Sequence, residues 1–148
     1  MDCLSKNICA TRRSVGNGGN NEILEFNGDS ILGFIVGKLL IDEFGSFSKG
    51  ESNLYTKISD GVLVSEYQED KLTEIKQRLV QRKMLADCIC MLDLDRFLLM
   101  GKGDFQNNVN KQDSVKEDLF EAIIGAVALD CNYDIRKTSR SHKIHVEF

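Results

Sequence analysis

The chain has 148 residues, of which 42% are hydrophobic, and this size suits one domain with a buried core. Its formal net charge of -4 is not what a free-standing nucleic-acid-binding domain usually carries. The first residues do not form a secretory leader, and no apolar run approaches the ~20 residues of a membrane span, so we expect an intracellular protein without membrane contact. The five cysteines lack the paired spacing of a zinc site, and we expect reduced thiols.

The longest apolar segment of the chain runs from Asn21 to about Phe44, after a polar and glycine-rich start. Apolar side chains point in nearly every direction around the axis of the predicted helix, so we expect it to be buried on most sides. Glu22, Glu25 and Asp29 nevertheless fall within an arc of about 60° on one face. Burying an unpaired carboxylate is costly, and no Lys or Arg shares this face in the first turns. The pattern therefore predicts a metal ion at these acids.

Three glycines, Gly28, Gly33 and Gly37, interrupt the same predicted helix. Each weakens a helix by close to ~1 kcal/mol relative to alanine, so a compensating contact is expected. We predict close packing against a later helix that also has small residues, Gly125 and Ala126. Small side chains at this contact would also let the acidic faces of two helices converge.

A strand pattern follows the first predicted helix. Leu54–Ile58 and Val62–Tyr67 are rich in β-favouring residues and flank Ser59-Asp60-Gly61, which is a hairpin signal. We interpret residues 51–67 as an insertion that forms a small β-hairpin or an ordered loop. Its role is either the binding of a partner or that of a solvated loop.

Two further helices are predicted in the middle of the chain, one beginning near Glu69 and the other covering Met84–Leu92. Their outer faces carry basic residues that form either a solvated surface or one that neutralises phosphates, namely Lys71, Lys76, Arg78, Arg82 and Lys83. The apolar side chains of Leu94–Leu99 are then expected in the core. Gly101–Gln112 is predicted to be a polar loop.

A second acidic helix is predicted from Ser114 to Asp130. Ser114 and Glu117 have the spacing of a capping box, and Asp118 and Glu121 lie three residues apart on one face within an apolar run. Two acidic helices without a nearby His or Cys offer oxygen ligands, which favour Mg²⁺ or Mn²⁺ over zinc. Bound cations would reverse the local potential, so the net negative charge does not exclude phosphate chemistry.

The acidic segments resemble the motifs of the ribonuclease III family. Residues 21–32 read Asn-Glu-x-Leu-Glu-Phe-x-Gly-Asp-Ser-x-Leu, similar to its signature, and residues 118–126 read Asp-x-Phe-Glu-Ala-Ile-Ile-Gly-Ala, similar to its second acidic motif. A Leu-Leu-x-Gly-Lys-Gly element lies between them at residues 98–103. Residues 9–14 resemble the family's Ala-x-Thr-His-Arg-Ser, with Arg12 in place of the histidine.

The resemblance covers roughly residues 9–133 and is strongest over 21–44 and 69–133. Residues 134–148 form a mildly basic tail. Members of the family often add a double-stranded-RNA-binding domain, for which this chain has no room. We therefore expect residues 1–148 to form a single ribonuclease III catalytic domain.

The resemblance implies an all-α fold and a Mg²⁺-dependent endoribonuclease, with Mn²⁺ as a substitute. Such an enzyme cleaves double-stranded RNA by phosphodiester hydrolysis and leaves 5′-phosphate and 3′-hydroxyl ends. The implied metal ligands, which are also catalytic, are Glu25, Asp29, Asp118 and Glu121. Glu22 matches an auxiliary acid of the family, and Glu69 matches a residue that supports the catalytic centre from the side.

Members of the family form homodimers, which place two catalytic centres in one valley. Phe26 matches the signature residue that inserts into the partner subunit. Without the resemblance, Phe26 is equally well an ordinary core residue. The resemblance thus implies a homodimer through the signature helix.

Two other functions are open at this stage. One is a catalytically silent relative that binds structured RNA in a ribonucleoprotein. The other is a purely structural helical protein whose acids pair with Arg or Lys. Within the nuclease class, the sequence does not distinguish ribosomal RNA precursors, small nuclear RNA precursors and long duplexes of RNA silencing as substrates.

Overall fold

The computed structural model describes residues 10–16, 19–47 and 63–134, and this part of the chain is mostly helical. Its helices, numbered in chain order, are α1 (Glu22–Phe44), α2 (Glu69–Leu79), α3 (Arg82–Met91), α4 (Lys102–Gln106) and α5 (Asp113–Asp130). Short 3-10 turns occupy Arg13–Val15, Asp95–Phe97 and Val109–Lys111. The predicted all-α fold is confirmed. None of the helices in the described ranges has the length and hydrophobicity that crossing a membrane requires.

The helices α1 and α5 pack closely where two glycines meet. A Cβ atom on Gly28 would overlap the carbonyl oxygen of Glu121, and a Cβ atom on Gly125 would overlap the carbonyl oxygen of Leu24. Only residues without a Cβ allow the two backbones to approach this closely. The predicted glycine contact between the helices is therefore confirmed at Gly28 and Gly125.

The prediction is wrong for the other two glycines of α1. A Cβ atom on Gly33 would meet only the Lys76 side chain, at 3.7 Å from its Nζ atom, and one on Gly37 would have no neighbour within 4 Å. Both glycines lie on the part of α1 that faces α2 across a cavity. Their small size leaves space there and does not close a helix contact.

The core is centred on α5, which packs against both α1 and α3. The largest fully buried side chains are Leu85 and Ile89 of α3 and Leu119 and Ile124 of α5. From α1, the core receives Ile31, Leu32, Ile35, Val36 and Leu40, which share one side of the helix. This arrangement fixes the rotation of α1 about its own axis, and thereby the direction of its acidic side chains.

The expectation that α1 is buried on most sides is wrong for the single chain. Ile23, Phe26, Phe34 and Leu39 are exposed, and Phe26 is 76% exposed. Among the described elements, α5 makes the most extensive contact with α1, and α2 and β1 contact it less. A sequence pattern shows that the helix has apolar residues on most sides, but it does not show whether the same chain covers them all.

Two short strands lie between α1 and α2 in the chain. Gly45–Phe47 (β1) pairs antiparallel with Leu63–Ser65 (β2), with Gly45 opposite Ser65. The strand β2 falls within the predicted strand Val62–Tyr67, but no strand was predicted at β1. The other predicted strand, Leu54–Ile58, lies outside the described residues. The aromatic rings of Phe44 and Tyr67 pack edge to face beside the strands, with centroids 4.9 Å apart.

The segment before α5 differs from its prediction in two ways. Leu98 is buried, but Leu99 is 49% exposed, so only part of the expected core run lies in the core. The backbone of Leu99 instead bridges to Thr11 in a short parallel pairing. The predicted polar loop Gly101–Gln112 contains α4 and a 3-10 turn.

The start of α5 also differs from its prediction. The helix begins at Asp113, and no side chain forms a cap hydrogen bond, so Ser114 and Glu117 do not form the predicted capping box. Glu117 instead accepts a hydrogen bond of 2.6 Å from Nε of Arg82. A charged guanidinium is a stronger partner for this carboxylate than a backbone N–H.

Candidate active site

The predicted acids lie where α1 and α5 cross. Glu25 and Asp29 are on the first two turns of α1, and Asp118 and Glu121 are on the first half of α5. The crossing at Gly28 and Gly125 places these turns side by side. We refer to Glu25, Asp29, Asp118 and Glu121 as the acidic cluster.

Glu121 is the member of the cluster whose protonation is most affected by the fold. Burial, followed by the negative charges of Asp29, Glu117, Glu25 and Asp118, raises the pKa of Glu121 to about 7. Residues that are far apart in the sequence therefore act on one carboxyl group. The structure thus brings together the four acids that the two motifs supplied.

Glu25 and Asp118 are affected in the same direction. Burial raises the pKa of Glu25, and the charges of Asp118 and Glu22 raise it further. Burial also raises the pKa of Asp118, whereas the guanidinium of Arg12 opposes this rise. Among the described residues, Glu25 forms no ion pair that would compensate its negative charge when it is ionised, whereas Arg12 compensates part of the charge of Asp118.

Arginines from distant segments approach the acidic region. Nη1 of Arg12 lies 3.6 Å from Oδ2 of Asp118, and Nη1 of Arg13 lies 3.4 Å from Oε1 of Glu22. Arg82, at the start of α3, pairs with Glu117 as described above. A pattern along one helix shows only the cations on that helix, so it could not identify which arginines the tertiary fold brings to these acids.

These arginines do not neutralise the whole cluster. Within residues 10–16, 19–47 and 63–134, Glu25, Asp29 and Glu121 form no ion pair with a cationic side chain. Three acids thus share a confined region without direct neutralisation. Such a region favours a bound cation.

The acidic cluster offers carboxylate oxygens as possible ligands for a divalent metal ion. The described residues contain no ready-made group of three metal-binding side chains. The donor chemistry nevertheless fits, because carboxylate oxygens are the ligands that Mg²⁺ prefers, and the ion would relieve the repulsion among the acids that, after burial, raises the pKa of Glu121. Glu25, Asp29, Asp118 and Glu121 are the residues that could hold it.

The structure does not bring Glu69 into the acidic cluster. Glu69 is exposed at the first position of α2, where its Oε1 atom accepts a hydrogen bond of 3.0 Å from Thr73. It lines a cavity of about 540 Å³ between α2 and the second half of α1, together with Gly33, Lys38 and Lys76. Its charge is not among those that shift the pKa of Glu25, Asp118 or Glu121.

Glu22 lies at the edge of the site and is exposed. Its charge contributes to the raised pKa of Glu25.

Glu117 is a further acid near the site, and the sequence patterns did not assign it there. Its charge raises the pKa of three members of the cluster, Glu25, Asp118 and Glu121. Its position next to Asp118 in the sequence could have indicated that it lies near the site, but Glu117 was interpreted as part of a capping box.

A helical fold with a carboxylate cluster at the crossing of two core helices defines a class of candidate metal-dependent hydrolases. A family model described as Ribonuclease-III-like matches residues 10–145. The chain belongs to the ribonuclease III-like family, as its motifs predicted.

Individual relatives agree with this assignment. Ribonuclease 3 of Roseburia hominis is 49% identical over 140 residues, which cover 90% of this chain and 39% of that protein. Ribonuclease 3 of Treponema succinifaciens is 44% identical over 121 residues, which cover 82% of this chain and 30% of that protein. The chain thus spans less than half of the length of these relatives.

Solved structures show the same fold. The nuclease domain of ribonuclease III from Campylobacter jejuni matches with a TM-score of 0.74 and 28% sequence identity, covering 95% of this chain and 84% of that one. That structure concerns flexibility in a region involved in dimer formation of that nuclease domain. A second structure of the Campylobacter jejuni domain matches with a TM-score of 0.68 and 26% identity.

Proposed function

We propose that the chain is a double-strand-specific endoribonuclease domain that hydrolyses phosphodiester bonds in a divalent-metal-dependent reaction. The observation that carries this proposal is the convergence of Glu25, Asp29, Asp118 and Glu121 at the α1–α5 crossing, where burial and then the charges of Asp29 and the other neighbouring acids raise the pKa of Glu121 to about 7. Membership of the ribonuclease III-like family supports the choice of RNA as the substrate. Double-stranded RNA is recognised mainly by shape, phosphates and 2′-hydroxyls, which suits cleavage without base-sequence readout.

The proposed cofactor is Mg²⁺, with Mn²⁺ as a substitute. When bound, the metal supplies an activated water and stabilises the charge on the departing 3′ oxygen, which leaves 5′-phosphate and 3′-hydroxyl ends. Glu25, Asp29, Asp118 and Glu121 would hold it through their carboxylate oxygens. The partial burial of Glu25, Asp118 and Glu121 at the helix crossing would strengthen this interaction because bulk water screens it less.

The two remaining predicted residues would act from the periphery. Glu22 is beside Glu25 and pairs with Arg13, so it could orient a water or a ribose hydroxyl at the edge of the cluster. Glu69 is proposed only as a supporting residue on the flank formed by α2. Its Gln variant should therefore reduce the cleavage rate less than the Asn variant of Asp118.

We further propose that the active form is a homodimer. An apolar surface consisting of Ile23, Phe26 and Phe34 is exposed on α1. Tyr133, which is 49% exposed, extends it, since its hydroxyl donates a hydrogen bond of 3.5 Å to Asn27 of α1. A second copy of the chain would cover this surface and supply a second acidic cluster for the second RNA strand.

The proposed activity is tested by incubating an end-labelled RNA duplex with the protein in Mg²⁺, in Ca²⁺, and with Asp118→Asn in Mg²⁺. We expect cleavage only by the wild-type protein in Mg²⁺, as resolved on a denaturing gel. Asp87→Asn is the matched control, because Asp87 pairs with Lys83 on α3 and belongs to no part of the cluster. This control should cleave at the wild-type rate.

The alternative function is a silent domain that binds structured RNA. It is supported if no lane shows cleavage while the same duplex shifts on a native gel. Cleavage by Asp118→Asn at the wild-type rate would exclude the proposed acidic cluster as the catalytic centre. An absence of both cleavage and binding would contradict both functions for this chain.

A further inference from the structure

Arg12 lies between Asp118 of the acidic cluster and a second carboxylate, that of Asp104. Its Nη1 atom lies 3.6 Å from Oδ2 of Asp118, and its Nε donates a hydrogen bond of 3.2 Å to Oδ2 of Asp104. The Arg12 side chain is 25% exposed, so most of it is shielded by these neighbours. A shielded guanidinium with two carboxylate partners is suited to orienting a carboxylate and poorly suited to capturing an RNA phosphate.

The backbone that carries Arg12 is fixed on both sides. Its N–H donates to the carbonyl oxygen of Leu99 at 3.0 Å, and the N–H of Leu99 donates to Ala10 at 2.7 Å. The carbonyl oxygen of Thr11 accepts a hydrogen bond of 2.9 Å from Asn21, the residue before α1. These bonds tie the segment that carries Arg12 to the start of the acidic helix α1.

The second carboxylate is also fixed. The hydroxyl of Ser14 donates a hydrogen bond of 2.5 Å to Oδ2 of Asp104 and accepts one of 3.1 Å from the backbone N–H of Gly101. The backbone of Gly101 approaches Ser14 so closely that a Cβ atom would overlap the carbonyl oxygen of Ser14. Arg12 is therefore held by a partner that cannot easily move, and its guanidinium has a defined position relative to Asp118.

We propose that Arg12 is a positioning residue that holds the carboxylate of Asp118 in the orientation in which the acidic cluster binds a divalent cation. This inference rests on the proposed function. The charge of Asp104 offsets that of Arg12, so the arginine can orient Asp118 with reduced repulsion of an approaching cation. Residues that orient a metal ligand in this way commonly change metal affinity or activity by about 10- to 100-fold when they are replaced.

The test measures Mg²⁺ binding by titration calorimetry without RNA, and the Mg²⁺ dependence of duplex cleavage, for wild type and Arg12→Gln. We expect the Mg²⁺ dissociation constant and the Mg²⁺ concentration at half-maximal rate to rise by about 10-fold or more in the variant. The KM for RNA at saturating Mg²⁺ should stay within about twofold, because the shielded arginine does not contact RNA. Arg96→Gln is the control, since Arg96 is an exposed arginine that pairs with Asp93 at 2.8 Å outside this network.

Two further variants distinguish a positioning role of Arg12 from a general loss of folding. Circular dichroism shows whether each variant is folded. Arg12→Lys should have an intermediate Mg²⁺ affinity, because a single ammonium cannot span two carboxylates as a guanidinium does. Asp104→Asn should also weaken Mg²⁺ binding. The double variant Arg12→Gln with Asp104→Asn should bind Mg²⁺ no more weakly than the single variant with the lower Mg²⁺ affinity. If Arg12→Gln does not fold, these two variants decide.

The outcomes distinguish this inference from the proposed function. Equal Mg²⁺ affinity in wild type and a folded Arg12→Gln would overturn the role of Arg12 and leave the nuclease intact. Mg²⁺ binding by the wild type without cleavage would overturn the proposed hydrolysis, while the affinity comparison would still decide the role of Arg12. A wild-type protein that neither binds Mg²⁺ nor cleaves RNA would overturn both.

Discussion

Glu121 shows at the scale of one residue how the fold prepares the site. Its ordinary pKa of 4.5 is raised to about 7, first by burial and then by the charges of Asp29, Glu117, Glu25 and Asp118. The folded protein therefore opposes the ionisation of a group that metal binding requires to be ionised. A bound cation would reverse this preference, because its charge favours the carboxylate.

This shift predicts how the stability of the metal-free protein depends on pH. Between pH 4.5 and about 7 the folded state holds a proton on Glu121 that the unfolded state has released, so the free energy of unfolding falls as pH rises through this range. The full shift would correspond to roughly 3 kcal/mol, and solvent screening at this half-exposed group reduces it to about 1–2 kcal/mol. Glu121→Gln removes this titration. The free energy of unfolding of the variant minus that of the wild type should therefore be larger at pH 8 than at pH 5, by about 1–2 kcal/mol.

Urea unfolding in the absence of divalent ions, at both pH values, provides the measurement. Glu43→Gln is a suitable control because Glu43 is an exposed glutamate near the far end of α1. A difference between Glu121→Gln and the wild type that is equal at both pH values would show that the cluster does not hold a proton on Glu121.

At the scale of the helices, the site depends on the contact between α1 and α5. Gly28→Ala would force its new methyl group against the carbonyl oxygen of Glu121, so the helices must separate. We expect the free energy of unfolding to fall by about 1–3 kcal/mol, as is usual for overpacking. The same displacement should weaken the stabilisation by Mg²⁺, because it moves Glu25 away from Glu121.

Gly37→Ala provides the comparison within the same helix. A Cβ atom at Gly37 would have no neighbour within 4 Å, so alanine should add helix propensity without a clash. Its free energy of unfolding should be unchanged or higher by up to about 1 kcal/mol. Denaturant unfolding of both variants measures the difference, and equal effects at the two positions would contradict the tight crossing at Gly28.

Several basic residues of α2 and α3 form ion pairs with acids on the same helix. Lys71 and Arg78 both pair with Glu74, and Lys83 pairs with Asp87, on exposed surfaces. Exposed pairs of this kind are usually worth less than about 1 kcal/mol. They are therefore compatible with either a solvated face or one that exchanges its partners for RNA phosphates, the two readings that the sequence left open.

At the scale of the whole molecule, the exposed apolar surface on α1 is the main feature that a single chain leaves unexplained. Phe26→Asp places a charge in the centre of this surface, so a homodimer should dissociate into monomers. Light scattering coupled to size-exclusion chromatography measures the change. A dimeric wild type and a monomeric variant are expected, and the variant should lose the coordinated cutting of both RNA strands.

Phe105→Asp is the matched control for the dimer. Phe105 is 73% exposed, compared with 76% for Phe26, but lies on α4. This variant should remain dimeric and cleave at the wild-type rate. If both variants stay dimeric, the interface lies elsewhere on the molecule.

The helical class, the bounds of α1 to within one residue, and the acidic faces of α1 and α5 could be predicted from the sequence. These features depend on local periodicity and on residue types within a few turns, which a linear pattern records. The close contact at Gly28 was also predicted, but the same argument failed at Gly33 and Gly37, because a pattern along one helix does not show which of its glycines meets a neighbouring helix. The motifs added the family, which the comparisons confirmed.

The partners of those acids, in contrast, became known from the folded chain alone. Arg12 reaches Asp118 across 106 positions of sequence, and Arg82 reaches Glu117 from another helix, so no pattern along one helix could show either pair. The exposure of Phe26 was undecided for the same reason, since burial depends on which elements pack against a face and not on the face alone. Charge and burial at the site are properties of segments brought together in space, and they therefore appear only once the chain has folded.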